Sequence, residues 1–244
     1  MAPPPLSLTL DLIARAHPDP VADDATALHL LTDAELLPGL EGAIADKPGP
    51  AGEIWVFAYG SLMWKPEFAF REQRIGTVRG YHRRFCLLQR RFRGTRERPG
   101  FVLALDRGGA CKGVAFRLDG HDPVATLMPV WRREMKGNGY AARWLPVDTD
   151  AGRVHALAFV VNRLGDRYAG RLTEAEIAEK IAAACGHLGP SAEYLLRTAE
   201  ACAELGIRDR HLMALQALVA ERLRGCGAGE RGFDAAQSLV RPGI

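Results

Sequence analysis

The sequence predicts an α+β fold, and three observations point to it. Short apolar segments bounded by turn residues crowd the stretch from residue 54 to about 118. The last third carries only helical patterns, and strand and helix segments do not alternate through the chain. Strands gathered first and helices last argue against repeated βαβ units. The first 52 residues read as an extension and linker. They open Pro-rich, carry a helix expected around Ala25 to Leu37, and end in Lys47-Pro-Gly-Pro-Ala-Gly52, a run of breakers. Packing across the main domain and tethering a partner are both open for this extension.

The main domain is expected over 53–224. Strands are predicted near 54–58, 74–79, 83–88, 101–105 and 111–117, with Asp106-Arg-Gly-Gly109 as one of the turns between them. Asp122-Pro123 then has the form of an N-cap followed by proline at the first helical position. That helix should reach about Met135, bent or shortened by Pro129, and stop at Gly137-Asn138-Gly139. Strands near 140–147 and 153–162 follow. Helices are predicted over 173–185, 190–205 and 209–224, the first opening on the capping-box pattern Thr173-Glu-Ala-Glu176. Residues 225–244 form a Gly-rich tail.

Composition narrows the function. A chain of 244 residues with 48% hydrophobic and 25% charged residues can bury one sizeable core. A net charge of +3 is too mild to call for nucleic acid or an anionic membrane. No apolar run approaches the roughly 20 residues of a membrane span, and the N-terminus lacks a signal-peptide layout. Cys86, Cys111, Cys185, Cys202 and Cys226 are odd in number, dispersed and never in a CxxC pair. They read as reduced thiols of a cytoplasmic protein. The seven histidines show no metal-binding spacing, so no metal or cofactor is expected.

One segment carries the chemical signal. An apolar run from Ile54 to Ala58 stops abruptly at Tyr59-Gly60-Ser61-Leu62. A buried strand ending in a small-residue turn presents successive main-chain N–H groups, which suits a carboxylate or a developing oxyanion. Read alone, the segment is also an ordinary strand and turn. The whole string Trp55-Val-Phe-Ala-Tyr-Gly-Ser-Leu-Met-Trp-Lys-Pro-Glu-Phe68, however, resembles the opening strand of the ChaC-like γ-glutamylcyclotransferases. The resemblance continues through Gly80-Tyr81-His82-Arg83-Arg84-Phe85, Arg98-Pro99-Gly100 and Gly113-Val114-Ala115-Phe116-Arg117-Leu118. Trp131-Arg-Arg-Glu-Met-Lys-Gly-Asn-Gly-Tyr140, Ile177-Ala178-Glu179-Lys180-Ile181 and Glu193-Tyr194-Leu195 follow in order, so the match spans roughly 53–222.

The resemblance implies a small closed or nearly closed mixed sheet flanked by helices. It also implies a reaction: the α-amine of a γ-glutamyl group attacks its own γ-carbonyl, forming 5-oxoproline and expelling the attached amine. Glutathione is the substrate it implies, with cysteinylglycine released. Glu134 stands where the family places its catalytic glutamate, the single group expected to move protons. Substrate contact is assigned to Val56, Phe57, Ala58, Tyr59, Gly60 and Ser61, with Leu62 as a further donor. Between Glu134 and Gly139-Tyr140 lie four residues where some members have two, so contacts in that loop are expected to differ.

Burial would raise the Glu134 pKa toward neutrality, and the flanking Arg132 and Arg133 would oppose it unless they point away. Without the resemblance, Glu134 would read as an exposed helix-end glutamate. Ser61 is not expected to be a nucleophile, because Tyr-Gly-Ser-Leu is not a GxSxG elbow. Tyr140 and Tyr168 are candidates for the pocket border. The arginines at 83, 84, 90, 91, 93, 96 and 98 could hold the glycine carboxylate of glutathione but fit a solvated face better. RNA binding fits least, since aromatics are not interleaved. The alternatives retained are a cyclotransferase for other γ-glutamyl peptides or amines, and a non-catalytic regulatory protein on the same fold.

Overall fold

The computed structural model describes residues 7–19, 21–49, 53–120 and 122–228. The Pro-rich start, residues 50–52 of the linker and the tail from 229 onward lie outside them. Five strands make the core: β1 (Trp55–Ala58), β2 (Phe70–Gln89), β3 (Gly100–Leu118), β4 (Tyr140–Thr149) and β5 (Gly152–Val161). They close a barrel in the order β1-β3-β2-β4-β5. Neighbours in that order pair antiparallel, and β1 closes the ring on β5 in parallel, Trp55 opposite Ala156 and Val56 opposite Leu157. The expected closed mixed sheet is therefore present.

Two expectations about strands change. The segments at 74–79 and 83–88 are one strand, as are 101–105 and 111–117. Gly80, Gly108 and Gly109 all have positive φ, and the β2–β3 register shifts between Arg79 and Tyr81. The glycines make a bulge that bends a long ribbon instead of reversing it. A closed barrel needs such bending, and composition alone does not distinguish a bulge from a turn.

Strand β1 is buried on both faces, which accounts for its unbroken apolar run. Phe57 and Tyr59 belong to one core cluster with the helices α1 (Leu10–Ala16), α4 (Glu174–Ala183), α5 (Ser191–Glu204) and α6 (Arg210–Ala228). Val56 and Ala58 belong to the other, under α2 (Asp33–Ala45) and α3 (Pro123–Met135). The hairpin β6–β7 (Cys185–Gly186 with Gly189–Pro190) precedes α5.

The N-terminal segment differs from expectation in detail. Its helices are α1 and α2, and residues 25–27 form only a 3₁₀ turn. Thr32 and Glu35 make a reciprocal capping box that starts α2. Helix α2 lies against α3, where the Trp131 Nε1–H donates to Leu36 O at 3.2 Å, and against β4, where the Trp144 Nε1–H donates to Ala43 O at 2.7 Å. The Leu31 N–H donates to Lys136 O at 2.9 Å, just beyond the end of α3. Helix α3 starts as expected, with the Asp122 carboxylate accepting from Val124 and Ala125 N–H and proline in the first turn. Pro129 does not cut it short.

Candidate active site

At the end of β1 the chain turns through Tyr59 and Gly60 into a 3₁₀ turn, Ser61–Met63. Its first hydrogen bond runs from Met63 N–H to Gly60 O at 2.9 Å, so the N–H groups of Ser61 and Leu62 have no partner within the turn. Opposite stands the last turn of α3, which carries Glu134. Tyr59, Gly60, Ser61, Leu62 and Glu134 line one hollow together with Leu103, Tyr140, Phe159 and Tyr194. The hollow is narrow, with a cavity volume of about 10 Å³, and is partly open to solvent. Val56, Phe57 and Ala58, expected to touch substrate, are fully buried within β1 and do not line it; they set the direction of the turn.

The Glu134 side chain is 11% exposed. Its carboxyl is held above the usual glutamate value, first by burial, and the Arg133 guanidinium pulls the other way. The two arginines before it behave differently. Arg132 points away in a bidentate pair with Asp33, at 2.8 and 2.6 Å. Arg133 turns inward: its Nε lies 3.2 Å from Glu134 Oε1. Its Nη1 donates to Lys65 O and Glu67 Oε2 at 2.6 and 2.7 Å, and its Nη2 to Ser61 Oγ at 2.8 Å. One guanidinium thus ties the carboxyl to the turn it faces, and Glu67 nearby adds to the upward pull on Glu134.

Three tyrosines furnish the walls. The Tyr59 hydroxyl donates to Phe159 O, and the Tyr140 hydroxyl to Leu103 O at 2.8 Å. The Tyr194 hydroxyl lies beside the Ser61 side chain and the Leu103 main chain, both of which favour its ionised form against burial. Burial raises the pKa of all three, so they remain protonated donors. Tyr140 borders the hollow as expected. Tyr168 does not; its hydroxyl donates to Asp106 at 3.0 Å. Tyr194, Leu103 and Phe159 were not foreseen as lining residues. The only hint in the chain is a tyrosine set among the apolar residues of a helix, Ala192, Leu195 and Leu196.

Six arginines of the basic stretch, Arg83, Arg84, Arg90, Arg91, Arg93 and Arg96, are each paired with a carboxylate, and Arg98 is exposed.

A mostly buried carboxyl with a raised pKa, facing a turn with open main-chain amides on a closed mixed barrel, is an arrangement that can carry acid–base chemistry on a small molecule. Residues 54–222 match the family model of the ChaC-like proteins, and this chain belongs to that family. A relative from Escherichia coli (strain K12), named glutathione-specific gamma-glutamylcyclotransferase, is 40% identical over 171 residues. That alignment covers 70% of this chain and 74% of the relative. The mouse glutathione-specific gamma-glutamylcyclotransferase 1 is 38% identical over 174 residues, 68% of this chain and 78% of its own. The crystal structure of a yeast gamma-glutamyl cyclotransferase specific to glutathione superposes with a TM-score of 0.64 at 22% identity. It covers 69% of this chain and 96% of the yeast chain, which shows the shared fold. No helix among the described residues is long and apolar enough to cross a membrane.

Proposed function

We propose that this protein cleaves glutathione by cyclising its γ-glutamyl group, releasing 5-oxoproline and cysteinylglycine. The observation that carries the reading is the placement of Glu134 and the Tyr59–Leu62 turn on one hollow, in a chain of this family. The γ-glutamyl group curls so that its α-nitrogen meets its γ-carbonyl carbon. Well-oriented intramolecular reactions reach effective molarities of about 10⁵–10⁸ M, so enforcing this bend supplies much of the rate.

Glu134 takes a proton from the substrate ammonium, and the free amine attacks. The new C–N bond forms while negative charge collects on the γ-oxygen, facing the main-chain N–H groups of the turn. Collapse breaks the old C–N bond. The two protons lost by the ammonium on becoming a lactam N–H are the two gained by the departing nitrogen on becoming an ammonium. A carboxyl with a raised pKa both accepts and returns protons near neutrality.

Incubating the protein with glutathione and, separately, with γ-glutamyl-alanine, then measuring 5-oxoproline, tests the reading. Release from glutathione is expected to dominate. Preference for γ-glutamyl-alanine favours the broader cyclotransferase reading, and release from neither leaves a non-catalytic protein. Free thiols at Cys86, Cys111, Cys185 and Cys202 support a reducing, cytoplasmic setting.

The charges around Glu134 also fix a pH effect. The base must be ionised, so kcat/KM rises with pH through its pKa, with a midpoint expected above the ordinary 4.5. Glu67→Gln removes a negative neighbour and leaves Arg133 freer to attend to Glu134. The acid limb should then move to lower pH; a limb that stays in place, or rises, removes Glu67 from the electrostatics of the base.

A further inference from the structure

Behind the turn lies a buried charge that the reaction itself does not use. The Arg83 side chain is 3% exposed and spends its donors on three fixed acceptors. Nε donates to Tyr59 O at 2.5 Å, Nη1 to Asp209 Oδ2 at 2.5 Å and Nη2 to Lys112 O at 2.8 Å. Asp209 is itself held, since its Oδ1 accepts from Leu212 N–H at 3.0 Å at the start of α6. A buried ion pair is weak support for stability, and apolar side chains of similar size commonly serve a core as well or better. Three converging bonds on one guanidinium point to a geometric task.

The acceptor that matters is the Tyr59 carbonyl. Among the described residues no peptide bond is cis, so in the planar Tyr59–Gly60 unit the C=O and N–H point in opposite directions. Arg83 draws the carbonyl toward itself, and the Gly60 N–H therefore points away from Arg83. Gly60 lines the hollow that holds Glu134, and Arg83 does not. A peptide bordered by glycine turns over easily, because no Cβ restrains it. Turned over, it would offer carbonyl oxygen where the reaction needs a donor.

We propose that Arg83 is a positioning residue which, by pinning the Tyr59 carbonyl, holds the Gly60 N–H aimed at the γ-carbonyl oxygen as it becomes an oxyanion. The proposal deepens the glutathione-cyclising reading and rests on it. Losing one oxyanion donor typically costs about 10²–10³ in kcat. Arg83→Met in the full-length protein is expected to lose about that much in kcat, with KM for glutathione changed less than about threefold. Arg83→Lys keeps a charge for Asp209 and one donor for the carbonyl, without the planar fork. It should recover about tenfold over Arg83→Met.

Wild-type protein assayed alongside separates the two claims. If it releases no 5-oxoproline, the proposed reaction itself fails. If it turns over and folded Arg83→Met matches its kcat, the role of Arg83 is overturned. A rise in KM without loss of kcat overturns it too. Should Arg83→Met fail to fold, Arg83→Lys decides: a reduced kcat at retained KM supports the role, and wild-type kcat refutes it.

Discussion

Glu134→Gln is expected to lower 5-oxoproline release by about 10²–10⁴-fold, the usual contribution of a positioned proton-transfer group. Fold and glutathione binding should survive. The amide keeps the shape of the carboxyl, and Arg133 retains Ser61, Lys65 and Glu67 as partners. The Glu134 pKa is raised in the folded protein, so between the ordinary and the raised value the native state binds more protons than the unfolded chain. Its contribution to stability therefore falls as pH rises through that window. Thermal unfolding followed against pH should show this slope in the wild type and lose it in Glu134→Gln. Calorimetric binding of unreacted glutathione to the variant completes the measurement. Turnover within tenfold of the wild type would remove Glu134 from the mechanism.

Gly60→Val should be nearly as damaging, by a different route. The φ of Gly60 is negative, −138°, and the space beside its Cα calls for glycine. A Cβ would sit 2.8 Å from the Tyr194 hydroxyl and 3.6 Å from the Leu103 Cβ. The hydroxyl has little freedom to withdraw, because Tyr194 is buried. The added methyls of valine would push the turn out of place. We expect KM for glutathione to rise at least about tenfold and kcat/KM to fall by about 10² or more, as for a misplaced donor. Gly60→Ala should do less harm, and Tyr194→Phe in the same chain should relieve it, a non-additive pair marking direct contact. An unchanged KM in Gly60→Val would place the turn away from the substrate.

The site was legible where chemistry follows chain order and obscure where it depends on the third dimension. The strand ending at Ala58 and the turn at Tyr59–Leu62 stand in the sequence because burial on both faces writes an uninterrupted apolar run. Glu134 was legible only through the resemblance, since a glutamate near a helix end usually faces water. The opposite orientations of Arg132 and Arg133 depend on where α2 brings Asp33 and where the turn brings Ser61, which no local pattern records. Tyr194 reaches the hollow from a helix 134 residues beyond Gly60. Gly80 and the Gly108-Gly109 pair read as chain reversals because bulges and turns recruit the same residue for the same conformational freedom.

The N-terminal segment bears on how this protein is handled. Asp33 grips Arg132, Leu31 bonds to Lys136, and the Trp131 indole leans on Leu36, so a piece of chain outside the family match brackets the helix that delivers Glu134. A version trimmed to the family boundary would keep every wall of the reaction chamber and lose the brace on one of them. For expression, crystallisation or grafting onto another scaffold, the extension travels with the enzyme as part of its working frame.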